Sequence, residues 1–293
     1  MVFEFIAPSF RANRQSYVTT FASLQPDEEH GCPVVTLPDE ATDLRNLLSM
    51  IYNRRFGDDT WRSEYSTYDQ ELDVATGVVF LANKYGMDRL YCETISWLQD
   101  IFPTKFQQFE PGSRFRHTVL ARPKGGGPAC LIRLTNVARS SQTPELTAML
   151  PFLFYLGAQL DVVELLDGSP RTDGTMERLQ PRDMTICVEG TVALIAANSS
   201  ATRCFLAGEG NLGSACRSRG ACYTSMSLVV GDGLKEDFFA NSDPLRDVTQ
   251  WLKQRNYNGR LCDSCVAHLL DKHKKAREKI WTNLPSILRL DIA

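Results

Sequence analysis

The chain has 293 residues, of which 43% are hydrophobic and 23% charged, with a formal net charge of −3. That length supports a sizeable apolar core, and the near-neutral balance gives no overall field to draw nucleic acid or anionic lipid. The apolar start, Met1 to Ala7, lacks a basic flank and carries Glu4, so it does not read as a signal peptide. The longest apolar run, Ala148 to Leu160, is broken by Pro151 and falls short of the roughly 20 residues that span a bilayer. Without a secretion signal the nine cysteines read as reduced and the protein as intracellular, in cytoplasm or nucleus.

In chain order, Val2 to Ile6 predicts a short strand, Tyr17 to Leu24 the end of a helix and Gln25 to Gly31 an acidic loop. Val34 to Leu37 is a β-branched run and predicts a second strand. An unpaired strand leaves its backbone groups unsatisfied, so Val2 to Ile6 is its expected neighbour. Asp39 or Thr42 can cap the next helix, whose apolar face is Leu44, Leu47, Leu48, Ile51 and Tyr52. After a polar loop, Asn53 to Ser66, helical spacing resumes through Val74, Val78, Leu81 and Tyr85. Gly86 suits a left-handed helix end. Asp88 is the expected cap of a third helix burying Leu90 or Tyr91, Ile95, Leu98 and Ile101, and Pro103 stops it.

Gln107 to Pro128 is rich in Arg, Gly and Pro and marks a domain boundary. It divides the chain into a module at 1–105, a linker at 106–129 and a helical, cysteine-containing region at 130–293. In that region Leu131 to Arg139 reads as helical. Thr143-Pro144 starts a helix that runs to Leu160 with a kink at Pro151. A turn at Asp167 to Thr175 and a helix at Gln180 to Ala196 follow. Ser242-Asp243-Pro244 opens a helix carrying Leu245, Val248, Trp251 and Leu252, and a last helix runs from Leu261 to Trp281, ending before Leu284-Pro285. The fold class expected is α+β, predominantly α-helical.

Leu44 to Tyr52, followed by Val79 to Leu90 with its Lys84-Tyr85-Gly86-Met87-Asp88 turn, resembles the second half of a BTB/POZ domain. The Val34 strand matches the strand before that domain's third helix, and the 84–90 turn matches its final helical hairpin. Leu131 to Arg139, Met149 to Tyr155, Leu261 to Cys265 and Trp281 to Pro285 resemble the C-terminal region of fungal BTB-domain proteins. The resemblance covers roughly two thirds of the chain and implies an adaptor that binds a protein partner. In such domains a β-hairpin and a long helix carry much of the homodimer contact. Here only residues 1–24 precede the strand, so the resemblance is to a BTB/POZ module lacking its start.

The chemistry in the sequence is sparse. Cys216-x5-Cys222 and Cys262-x2-Cys265 are two close thiol pairs that could supply the four soft ligands of a tetrahedral zinc. Some 39 residues separate the pairs, more than the roughly 15–20 of a common zinc finger. Buried reduced thiols and a disulfide therefore stay open as readings, with Cys204 and His268 as substitute ligands. Gly208 to Gly213 fits G-x-G-x-x-G, but no apolar helix follows as a dinucleotide fold requires, so it reads as a flexible loop. The basic run Lys272 to Lys279 reads as a solvated helix face opposite Leu269, Ala276 and Ile280, not a nucleic-acid surface. The four histidines form no catalytic pattern. The expectation is a non-enzymatic interaction protein with an unidentified protein partner. The rival is a structural zinc-binding regulatory protein acting through residues 200–293.

Overall fold

The computed structural model describes residues 27–29, 32–34, 37–53, 68–110, 127–171, 173–206, 208–256 and 260–291. Strands β1 (Asp27–Glu29) and β2 (Cys32–Val34) pair antiparallel, with Asp27 opposite Val34 and Glu29 opposite Cys32. The strand thus lies earlier than Val34 to Leu37, and its partner is the acidic stretch expected to be a loop. In the sequence only His30 and Gly31 separate the two, and glycine in so short a connection favours a hairpin. The proposed partner strand Val2 to Ile6, the helix end at Tyr17 to Leu24 and the Asn53 to Ser66 loop, apart from Asn53, which is helical, lie outside the described residues.

Three helices follow where the apolar spacing predicts them: α1 (Ala41–Asn53), α2 (Tyr68–Lys84) and α3 (Asp88–Ile101). Leu47, Val74, Val78, Leu81, Ile95, Leu98 and Ile101 are buried in one core. Gly86 takes a φ of +64°, and the Met87 amide donates to the Ala82 carbonyl at 2.8 Å to close the helix. Two caps differ from expectation. Asp39 accepts from Lys84 and from the Tyr85 hydroxyl, so it ties the end of α2 to the start of α1. Met87 occupies the cap position of α3, and Asp88 is its first helical residue, where its charge still complements the helix dipole.

A single turn, α4 (Phe106–Phe109), precedes α5 (Gly127–Ser141), which packs against α2. The helix predicted from Thr143 to Leu160 is two: α6 (Pro144–Thr147) and α7 (Leu150–Gly157). Pro151 causes no kink because it sits in the first turn of α7, where its missing N–H has no helical partner to lose. Helix α8 (Val162–Asp167) is capped by Asp161, which accepts from the Val163 amide at 2.9 Å. It leads into β3 (Ser169–Pro170) and β4 (Met176–Glu177), an antiparallel pair, and then into α9 (Pro181–Ala201). One apolar cluster runs from Leu47 through Phe106, Leu134 and Phe154 to Leu290, so residues on both sides of the 106–129 stretch share a core.

Within this core lies an ionic cluster. Arg133 donates to the Asp43 carboxylate, to the Asp73 carboxylate and to the Asp73 carbonyl. Arg171 binds Glu40 at 2.7 Å and Asp73 at 3.2 Å. Asp43, Asp73, Arg133 and Arg171 are all at least 94% inaccessible, with exposures of 5%, 6%, 6% and 6%. Burial holds Asp43 above the ordinary carboxylate range, even against the lowering influence of Arg133. Burial likewise outweighs both arginines at Glu177. A Cβ on Gly77 would stand 2.3 Å from the Asp43 carboxylate, so glycine makes room for the cluster.

After 3-10 turns at Thr202–Phe205 and Glu209–Asn211 come α10 (Arg219–Lys235), α11 (Thr249–Arg255) and α12 (Asp263–Ile287). These form a second core, centred on Phe205, Phe238, Trp251 and Leu252, with Phe238 stacked on Trp251 at 3.9 Å. Ser242-Asp243-Pro244 is a turn, and the helix begins only at Thr249, whose amide is held by Asp247 at 3.1 Å. Helix α12 continues through Pro285, a cost near the helix end of one backbone bond. Its buried stripe is Cys265, Leu269, His273, Arg277, Ile280 and Leu284, so two members of the basic run face inward. Arg277 pairs with Glu110 at 3.1 Å and lies over the Phe106 ring at 5.5 Å. Burial, reinforced by Arg277, pushes His273 down to about 3, so it packs neutral beside Phe205.

Among the described residues one helical stretch, Pro181–Phe205, is long and apolar enough to cross a membrane by length and composition. Its buried side carries Asp183 and Asn198 and packs on α7 and α12.

Candidate metal centre

Helix starts build the site. Cys262 is the N-cap of α12, in extended conformation, and Cys265 is the third helical residue. A cap side chain and the third residue lie on the same side of a helix start, the geometry that capping boxes use. That is why C-x2-C at this position brings two sulfurs together. Cys222 lies in the first turn of α10, and Cys216 precedes it in a tight turn closed by its own amide on the Gly213 carbonyl at 3.0 Å.

The four Sγ atoms all lie within 4.8 Å of one another. A tetrahedral zinc with Zn–S bonds of about 2.3 Å sets its sulfurs about 3.8 Å apart, so small adjustments suffice. Cys216, Cys222 and Cys265 are buried and Cys262 is half-buried. The eight cysteines other than Cys32 are free thiols in this structure.

The surroundings suit thiolates. The Gly213 amide donates to Cys265 Sγ at 3.3 Å, and the Cys262 amide donates to Cys222 Sγ at 3.5 Å. The starts of α10 and α12 both point their positive ends at the cluster. The Cys265 amide facing Cys262 holds that thiol down, to about 7. Burial instead pushes Cys265 up to about 12 and raises Cys222. Without a cation, therefore, Cys222 and Cys265 hold protons; a cation is the partner that would let them ionise together.

Gly213 carries no donor that sequence patterns single out, yet its position is exacting. A Cβ there would stand 2.3 Å from the Ser264 carbonyl oxygen and 2.4 Å from its hydroxyl. Only glycine lets the loop come close enough to α12 to deliver its amide to Cys265. The sequence signal was the last glycine of the G-x-G-x-x-G stretch. That stretch holds a 3-10 turn whose Gly210 carbonyl and Asn211 side chain bind Lys272 at 2.5 and 3.0 Å, and among the described residues what precedes it is another 3-10 turn, not a strand.

The structure brings together the four cysteines of the predicted ligand set and neither substitute. The Cys204 thiol donates to the Ala201 carbonyl at 3.5 Å, and burial raises it to about 12. His268 lies one turn beyond Cys265, outside the thiol group. No family model matches the chain, and no curated protein or solved structure matches it.

Proposed function

We propose that the chain is a non-enzymatic intracellular protein whose residues 200–293 are built around one structural zinc ion on Cys216, Cys222, Cys262 and Cys265. The convergence of four thiols from two chain segments within 4.8 Å carries this reading. Four thiolates complete the tetrahedral shell and leave no position for water or substrate, so the ion acts as a crosslink. It would join the 213–222 segment to the start of α12, which otherwise meet through a small second core. Elemental analysis of protein purified without added zinc tests it. One zinc per chain is expected, lost in Cys265→Ser. Metal-free protein with all four thiols reactive in the folded state would overturn the reading.

The chain's output would be partner binding, in keeping with its likeness to BTB/POZ adaptors. The observation favouring this is α1. Its stripe buries Leu47 but leaves Leu44, Leu48 and Ile51 half-covered and Tyr52 49% exposed, an apolar edge suited to a protein surface. Comparison of proteins captured by the wild-type chain and by Tyr52→Asp checks it. A partner lost selectively in the variant is expected; an identical set from both would remove α1 from consideration.

A further inference from the structure

The four sulfurs of the thiol cluster are not equally covered. Cys216, Cys222 and Cys265 are buried, with exposures of 9%, 2% and 0%, whereas Cys262 is half-buried at the start of α12. Its neighbour Asp263 is exposed and Ser264 half-buried, so this corner of the site faces solvent. The two halves of the cluster also differ in how the chain connects them. Cys262 and Cys265 share one helix start with two residues between them, the arrangement of dithiols that cycle through a disulfide. Cys216 and Cys222 lie on another segment, at the start of α10. A disulfide within the first pair therefore takes away every ligand on one side of the crosslink and puts no bond between the segments in its place.

We infer that the zinc crosslink is a peroxide-sensitive catch, opened when Cys262 and Cys265 are oxidised to an intramolecular disulfide. The inference rests on the zinc reading above, because the metal is what holds both sulfurs as thiolates. The Cys262 thiolate attacks one oxygen of hydrogen peroxide: an S–O bond forms, the O–O bond breaks and hydroxide leaves. The Cys265 thiolate, within 4.8 Å, then attacks the sulfenic sulfur. An S–S bond of about 2.05 Å forms, and the S–O bond breaks with loss of a second hydroxide. Two thiolates have lost two electrons, and the peroxide, taking two protons from solvent, has become two waters. Zinc keeps only Cys216 and Cys222, half of its shell, and dissociates.

The course of α12 decides what the opening does. Cys265 and Leu269 belong to the second core, whereas Ile280 and Leu284 belong to the main one. Arg277 further ties the helix to Glu110 at 3.1 Å. The far part of α12 thus stays anchored while its start loses the tie to the 213–222 segment. Oxidation loosens the second core around Trp251 and leaves the main core closed.

The full zinc-loaded chain carrying Cys92→Ser tests this. Cys92 is an exposed thiol on α3, outside the cluster, and its removal prevents chains from joining through it. Zinc is counted first, and about ten equivalents of hydrogen peroxide are then added. A chromogenic chelator follows zinc release, and mass spectrometry maps the disulfides. One zinc should be released for each Cys262–Cys265 disulfide formed, and taken up again after treatment with a thiol reductant. Cys262→His, which keeps a nitrogen ligand for zinc but no sulfur to oxidise, should slow release at least about tenfold. Zinc retained under peroxide that oxidises Cys92 of the wild-type chain overturns the inference. So does a first disulfide from Cys262 to Cys216 or Cys222, which would keep the two segments joined. Zinc absent before peroxide is added overturns the zinc reading itself, and this inference with it.

Discussion

Arg133→Met is expected to lower the unfolding free energy by about 3–5 kcal/mol at neutral pH, the usual cost of removing one member of a buried ion pair. Methionine matches the length and apolar stem of arginine, so the loss reports the charge and its hydrogen bonds. The two aspartates are not equally exposed to that loss. Asp73 keeps Arg171 at 3.2 Å, whereas Asp43 receives its side-chain hydrogen bonds from Arg133. Asp43→Asn should therefore rescue the Arg133→Met background substantially, and Asp73→Asn should rescue it less.

The same variant has a pH signature. Burial already holds Asp43 above its ordinary 3.8, and Arg133 is the main influence pulling it down. Removing Arg133 raises it further. A carboxyl whose folded pKa is raised contributes stability that is complete below the unfolded value and lost as pH rises through the folded one. The deficit of Arg133→Met should accordingly shrink as the pH falls from 7 towards about 4, as the orphaned carboxyl takes a proton. Urea unfolding of both chains at pH 7 and near pH 4.5 measures this; an equal deficit at both would show that lost packing, not stranded charge, destabilises the variant.

Much of the helical layout was legible because it depends on local apolar spacing. Val74, Val78 and Leu81 in α2, or Ile95, Leu98 and Ile101 in α3, repeat at helical intervals whatever they pack against. Cys262-x2-Cys265 was legible for the same reason, since a helix start alone brings the two sulfurs together. What the sequence hides is set by distant parts of the chain. Asp43 and Asp73 resemble ordinary helix-surface acids, and nothing local says that Arg133 and Arg171, 60 to 131 residues away from their partners, will bury them. His273 and Arg277 were masked by their own composition: lysines surround them, yet helical geometry puts both in line with Leu269 and Ile280. The loop that adds Cys216 and the Gly213 amide is positioned by a close backbone approach to Ser264, which no spacing rule encodes. Pro151 and Pro285 mislead in the same direction, each read as an interruption that does not occur, because the effect of proline depends on its place within a helix.

Loading the metal-free chain with zinc at pH 7 is expected to release at least about 2.5 protons per ion from Cys222, Cys262 and Cys265, because zinc takes thiolates. Burial keeps Cys222 and Cys265 protonated, Cys265 with a pKa of about 12. Cys262, held near 7 by the facing amide, is about half ionised at that pH and supplies the fraction. Calorimetric titration in two buffers of different ionisation enthalpy, with a competing chelator, counts the protons. Release near zero would mean that these sulfurs are not the ligands. The affinity must then fall steeply with acid, by at least about two orders of magnitude per pH unit around neutrality. At free zinc a thousand times Kd the ion contributes about 4 kcal/mol to stability. Mild acidification should therefore remove much of that contribution and loosen the second core selectively. Phe238 stacked on Trp251 lies within that core, so tryptophan fluorescence should follow loss of the metal, while Trp97 and Trp281, which belong to the main core, keep their folded surroundings.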